Sequence, residues 1–209
     1  MNIKLAIFDF SGTLAEEPTK NIPTILKGLK NSFGLKDGEQ GRILDLLKRG
    51  MSESYDLYDL SQRVAASLSR ELDGELIELL RENIVFKSFE DVKAITSLRI
   101  KKVILTNASQ WVVDTAKLDK KFEVFYPEYK KPDERSFQSV LDHFEVRPEE
   151  TVMIGNSLEE DIYPAKKMGI TTILIDRGRK LPEQKDTLKI PSLREIEGYL
   201  KYLRTLKSC

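Results

Sequence analysis

The 209-residue chain carries 34 Lys and Arg against 34 Asp and Glu, with one histidine and one cysteine. Zero formal charge excludes a protein held on nucleic acid by global charge, though a local basic patch escapes such a count. The lone Cys209 excludes an intrachain disulfide and a cysteine zinc site, and the lone His143 excludes a histidine-rich metal site. Nothing around His143 looks like a Ser-His-Asp triad. Proton transfer and nucleophilic attack therefore fall to carboxylates, Lys, Ser, Thr or Tyr.

At ~150 residues per domain, the length gives one domain and a half, or one domain with a large insertion. The chain starts with an apolar run too short for a signal peptide, and Asp9 stands where a cleavage site would be. No stretch approaches the ~18 uncharged residues that span a bilayer. The expectation is a cytoplasmic protein with no membrane and no nucleic-acid partner. Oligomeric state is not legible.

Ile3 to Phe8 is a short apolar run closed by Asp9 and then by Ser11-Gly12-Thr13, the pattern of a buried strand ending in a turn. Similar runs are Lys102 to Leu105, Thr151 to Ile154 and Thr171 to Ile175, with Phe122 to Tyr126 a weaker candidate. Helical spacing separates them at Trp111 to Leu118, Glu134 to Phe144 and Leu158 to Met168. Strands alternating with helices predict an α/β fold, a doubly wound, Rossmann-like parallel sheet with helices on both faces.

Residues 15–91 break that alternation. Apolar residues recur at helical spacing around Ile25 and Leu29, Ile43 and Leu47, Leu60 and Val64, and Leu76 and Leu80. Breaks are expected at Gly34 to Gly41, Gly50 to Ser52 and Leu72 to Gly74. Four helices here predict an inserted all-helical domain over 15–91, with the α/β core formed by 1–14 and 92–209. Tyr55 and Tyr58 are expected to pack the bundle, and the insert is placed to rock over the sheet as a lid. Arg177 to Lys189 reads as a charged connector and Leu193 to Leu206 as a terminal helix.

In an open parallel sheet, ligands collect beyond the carboxyl ends of the strands. There stand Asp9, Ser11 and Thr13; Thr106 and Asn107; and Asn156, Ser157 and Asp161. Gly12 lets backbone approach an anion closely, and Lys131 adds a cation just before a helix. A potential nucleophile, hydroxyl and amide donors, a cation and oxygen ligands for Mg2+ suit phosphoryl transfer, where catalysis is mostly positioning and charge neutralisation.

Asp9-Phe10-Ser11-Gly12-Thr13 resembles the first motif, Asp-x-Asp-x-Thr, of the haloacid dehalogenase-like superfamily. Thr106 after Val103-Ile104-Leu105 resembles its second motif. Lys131-Pro132-Asp133 with Phe137 resembles the third, and Gly155-Asn156-Ser157 running to Asp161 the fourth. The resemblance covers about residues 1–14 and 92–177; the insert matches the family's helical cap only in position and class. It implies Asp9 as nucleophile through an aspartyl-phosphate, and Mg2+ held by Asp9, the Ser11 carbonyl and position 156. Asp161 would anchor metal-bound water. Gly12, Thr106, Asn107 and Lys131 would bind the phosphoryl group of a small phosphorylated metabolite.

Two residues depart from that pattern. Ser11 stands where family phosphatases place an acid/base aspartate, whose loss would slow the reaction. Asn156 replaces an aspartate and removes one charge from the metal site. Two other readings stay open: a metal-independent 2-haloacid dehalogenase-type hydrolase, and a catalytically weakened binding or regulatory protein of the same fold.

Overall fold

A computed structural model describes residues 2–53, 55–118, 120–179, 181 and 187–205. The first strand, Leu5–Phe8 (β1), is buried along its whole length. The chain then passes through Ala15–Glu16 (β2) into helices Ile22–Phe33 (α1), Gln40–Ser52 (α2), Leu57–Ser67 (α3) and Gly74–Asn83 (α4). It returns through Lys87–Ser88 (β3), which pairs with β2 in a two-stranded ribbon. There follow Val92–Thr96 (α5), Lys101–Leu105 (β4), Gln110–Thr115 (α6), Glu123–Phe125 (β5), Glu134–Phe144 (α7) and Thr151–Gly155 (β6). Tyr163–Lys167 (α8), Thr171–Ile175 (β7), Leu188–Ile190 (β8) and Ile196–Thr205 (α9) complete the described chain.

The six strands β5-β4-β1-β6-β7-β8 form one parallel sheet. This is the doubly wound α/β fold that the alternation predicts. Its strands are near-continuous apolar runs because helices cover the sheet. On one face Leu5, Ile7, Val103, Leu105 and Met153 pack against Phe137, Val140 and Leu141 of α7 and Ala165 of α8. Helix α7 forms where the sequence predicts it, and its two ends have local causes. The Asp133 carboxylate accepts from Arg135 N–H at 2.9 Å at the start, and Glu145 turns left-handed (φ 52°) at the end. Phe137 is fully buried, which stabilises by ~1.5–3 kcal/mol relative to exposure.

The chain divides into two compact units, residues 1–15, 88–106 and 118–209 in one, and 16–87 with 107–117 in the other. The second unit contains α1 to α4 and also α6. Trp111 Nε1 donates to Tyr55 O at 2.8 Å, and Phe86 N–H donates to Thr115 Oγ1 at 2.9 Å. Ile25, Leu29, Ile43, Leu47, Leu60, Val64, Leu76 and Leu80 form its apolar interior, as their spacing predicts. Asp56 and Asp73 cap α3 and α4 by accepting from Asp59 and Leu76 N–H.

Helix α2 ends at Ser52, within the break expected at Gly50 to Ser52, and Gly50 itself serves packing: a Cβ there would lie 2.6 Å from Leu60 Cδ1. Three local expectations are corrected. Tyr58 does not pack the bundle and is 55% exposed; two residues before Leu60, it falls on the opposite side of α3. The charged connector contains β8, a three-residue edge strand too short to show a period. The expected terminal helix begins as one 3₁₀ turn, Leu193–Glu195, and continues as α9; Leu206 and Cys209 lie outside the described residues. Among the described residues, no helix is long and apolar enough to cross a membrane.

Candidate active site

Strand β1 lies between β4 and β6, with Phe8 level with Ile104 on one side and Ile154 on the other. Asp9, Thr106 and Asn156 therefore leave the sheet at one carboxyl edge, where the strand order reverses. Asp9 keeps its backbone in the ladder, its N–H donating to Ile154 O at 2.9 Å. The chain then turns sharply: Leu14 and Ala15 N–H both return to Phe10 O, and Gly12 N–H donates to Ala15 O at 2.8 Å. Gly12 has φ +76°, and a Cβ there would come within 2.4 Å of Asn156 Nδ2, so both conformation and space require glycine.

Lys131, just before α7, extends a fully buried side chain to this edge. Its Nζ donates to Asp9 Oδ1 at 2.8 Å and to Asp161 Oδ1 at 2.5 Å. Burial disfavours the ammonium, but the charges of Asp9 and Asp161 outweigh that cost and raise the Lys131 pKa above the ordinary lysine range. Lys131 is thus a permanent cation rather than a proton acceptor. One cation between two carboxylates leaves excess negative charge in the cluster. Burial first, and the Asp9 charge second, accordingly push the Asp161 carboxyl above its ordinary value, against the pull of Lys131.

Asp161 reaches Lys131 through an unusual turn. Asp161 and Ile162 N–H both donate to Ser157 O, and the Ser157 hydroxyl accepts from Glu160 N–H. This widened turn over Leu158–Ile162 folds the Asp161 carboxylate back beneath Gly155, where a Cβ would lie 2.3 Å from Oδ2. Asp161 Oδ2 accepts from Ser157 N–H at 3.1 Å, so protein donors engage both of its oxygens.

The other carboxylate oxygen of Asp9 faces a different group. One end of the Asn156 side-chain amide lies 3.0 Å from Asp9 Oδ2, 3.0 Å from the Ser11 carbonyl oxygen and 3.2 Å from Thr13 Oγ1. With nitrogen at that end, the NH2 donates to both acceptors. With oxygen there, the amide faces two acceptors, a clash that a cation would relieve. Adjacent ligands of Mg2+, bound at 2.0–2.1 Å in an octahedron, stand about 2.9 Å apart. The two 3.0 Å separations from Asn156 are close to that spacing, so with oxygen inward Asp9, the Ser11 carbonyl and Asn156 would suit Mg2+. Only one is a carboxylate, and among the described residues no group of three His, Cys, Asp or Glu suits a metal. A cation held there would be bound weakly.

Thr106, 4% exposed, follows the end of β4, and Asn107 begins the 107–117 segment of the helical unit. Of the candidates, Asp9, Lys131 and Asp161 form one hydrogen-bonded chain, and Ser11, Gly12 and Thr13 gather around Asn156, which lies against Asp9 Oδ2. A residue absent from the sequence candidates also belongs here. Arg177, the first residue of the expected connector, donates to Thr13 O at 2.6 Å and to Gly12 O at 3.3 Å. No local motif marks it.

A central carboxylate at the switch point of a parallel sheet, with a buried lysine on one oxygen, is an α/β arrangement able to support chemistry on an acidic side chain. The haloacid dehalogenase-like hydrolase family matches residues 6–175, and the chain belongs to that family. It is similar to the phosphoserine phosphatase of Thermus thermophilus, 37% identical over 68 residues, which are 32% of this chain and 27% of that protein. The match thus spans about a quarter of that relative's length. Among solved structures it is similar to a HAD phosphatase from Thermococcus onnurineus (TM-score 0.70, 23% identity, 95% and 98% of the two chains covered). A 2-haloacid dehalogenase from Pseudomonas syringae is also similar (TM-score 0.71, 17% identity, 96% and 99% covered). At these identities the two structures speak to the fold alone.

Proposed function

We propose that the protein is a phosphohydrolase acting on a small phosphomonoester through an aspartyl-phosphate on Asp9, with Mg2+ as cofactor. The observation that carries this reading is the division of Asp9's two oxygens. Oδ1 lies against the Lys131 ammonium, while Oδ2 meets the Asn156 amide, an end of which also meets the Ser11 carbonyl. Asp9, the Ser11 carbonyl and Asn156 would hold the metal, which when bound neutralises charge on the phosphoryl group.

Asp9 Oδ1 attacks phosphorus, and the ester oxygen leaves with the bonding electron pair. Lys131 offsets the negative charge gathering around the transferred group and fixes the attacking oxygen's direction. Thr106 and Asn107 would donate to the phosphoryl oxygens. Water then attacks the phosphorus of the acyl phosphate, and the Asp9 carboxylate is restored. The departing oxygen needs a proton in the first step, and the attacking water must give one up in the second. Ser11, a weak acid and weaker base near neutral pH, serves neither step well, so turnover is slow. We propose that the helical unit acts as the cap that selects the substrate. The test is EDTA-sensitive hydrolysis of a panel of phosphomonoesters, abolished in Asp9→Asn.

A second reading has its own observation. With its nitrogen inward, the Asn156 amide satisfies Asp9 Oδ2 and Ser11 O with no cation. That arrangement suits attack of Asp9 on the carbon of a 2-haloacid. Halide release persisting in EDTA would favour it over the phosphatase.

A further inference from the structure

The loop that follows Asp9 is held from outside by a clamp. Arg177 sits two residues past the end of β7 and spreads its guanidinium over three partners. Nη1 and Nη2 donate to the two oxygens of Asp91 at 2.8 and 3.1 Å, Nη2 also donates to Thr13 O, and Nε to Gly12 O. The plane of the group stacks on the Phe89 ring at 3.7 Å. Asp91 is fixed in turn, accepting from the Ser192 hydroxyl at 2.8 Å and from Leu193 N–H at 3.0 Å. The fork is thus set in position and angle by a carboxylate and a ring, with donors left over for two backbone carbonyls.

Those carbonyls belong to Gly12 and Thr13. The neighbouring Ser11 carbonyl meets the same end of the Asn156 amide that lies 3.0 Å from Asp9 Oδ2, and the Thr13 hydroxyl meets it too. We propose that Arg177, locked by Asp91, is a positioning residue for the Asp9 reaction: it fixes the 11–13 backbone so that the Ser11 carbonyl and Asn156 keep their places around Asp9 Oδ2. This rests on the reading of Asp9 as the reacting carboxylate. Arg177 itself touches neither Asp9 nor the attacking oxygen. Its effect is transmitted through one turn of backbone, and displacements of that kind cost up to ~100-fold in rate.

The experiment compares Arg177→Met, Arg177→Lys and Asp91→Asn in the full chain. It reads kcat and KM for p-nitrophenyl phosphate across a Mg2+ titration, the thermal midpoint, and hydrogen exchange at the Gly12, Leu14 and Ala15 amides. For Arg177→Met the expected result is a kcat lowered about 10- to 100-fold, a raised half-saturating Mg2+ and a KM within about threefold of wild type. Exchange quickens at those amides and stays unchanged in β6. Arg177→Lys, with a single donor head, falls between Met and wild type. A folded Arg177→Met with wild-type kcat and Mg2+ requirement overturns the proposal. So does a loss of kcat without faster exchange in the loop. Should the Met variant not fold, Arg177→Lys and Asp91→Asn decide by the same readouts. If wild type hydrolyses no phosphate ester, the phosphatase reading fails, while unchanged loop exchange in Arg177→Lys and Asp91→Asn would separately sink the clamp.

Discussion

Lys131 Nζ lies 2.5 Å from Asp161 Oδ1, and neither side chain is more than 1% exposed. The ammonium also serves Asp9, so its removal leaves two carboxylates facing each other with no cation. Lys131→Met should cost about 3–5 kcal/mol of stability in metal-free buffer, the usual penalty for orphaning a buried charge. Adding Asp161→Asn should return part of it. Chemical unfolding of the two single variants and the double variant checks this. Strictly additive losses would contradict a shared cluster.

Asn156→Asp brings a second carboxylate to the position 3.0 Å from Asp9 Oδ2. In EDTA the like charges repel, and the thermal midpoint should fall below wild type. In millimolar Mg2+ the added charge strengthens binding to the folded state, so the upward shift should exceed that of wild type. Equal shifts in the two proteins would argue against position 156 as a ligand.

Ser11→Asp keeps the backbone carbonyl and adds the missing proton donor. Turnover should rise, with ~10²–10⁴-fold as the range general acid–base groups contribute. A folded variant with unchanged or lower turnover on the same ester would show that the proton is supplied elsewhere.

Burial pushes the Asp91 carboxyl up, but the bonds from Arg177, Ser192 and Leu193 together outweigh it and hold the group below its ordinary value. A pKa lower in the folded than in the unfolded chain contributes stability above the unfolded value of roughly 4. That contribution is lost as pH falls from there through the folded pKa. Asp91→Asn should therefore lose stability less steeply than wild type below about pH 4, measured by denaturant midpoints at a series of pH values. Parallel acid limbs would contradict this.

Much of this was legible because the signal is local. Apolar runs ending in Asp9, Thr106, Gly155-Asn156 and Asp176 mark buried parallel strands whatever surrounds them, and parallel order brings their ends to one edge. The meeting of Asp9 with Lys131 follows from that order, although 122 positions separate them. What stayed hidden depends on partners distant in sequence. The packing role of Gly50 shows only once Leu60 is seen against it, and β8 is too short to declare a period. Arg177 looks like any exposed basic residue, because its role is set by Asp91, Phe89 and two carbonyls rather than by its neighbours in the chain.

The account stands or falls on a covalent bond to Asp9. Wild-type protein mixed with a turned-over phosphomonoester and quenched in acid should yield, by mass spectrometry, a phosphorylated peptide containing Asp9, absent from Asp9→Asn. Ester hydrolysis proceeding with no such peptide, and at an equal rate in Asp9→Asn, would contradict it.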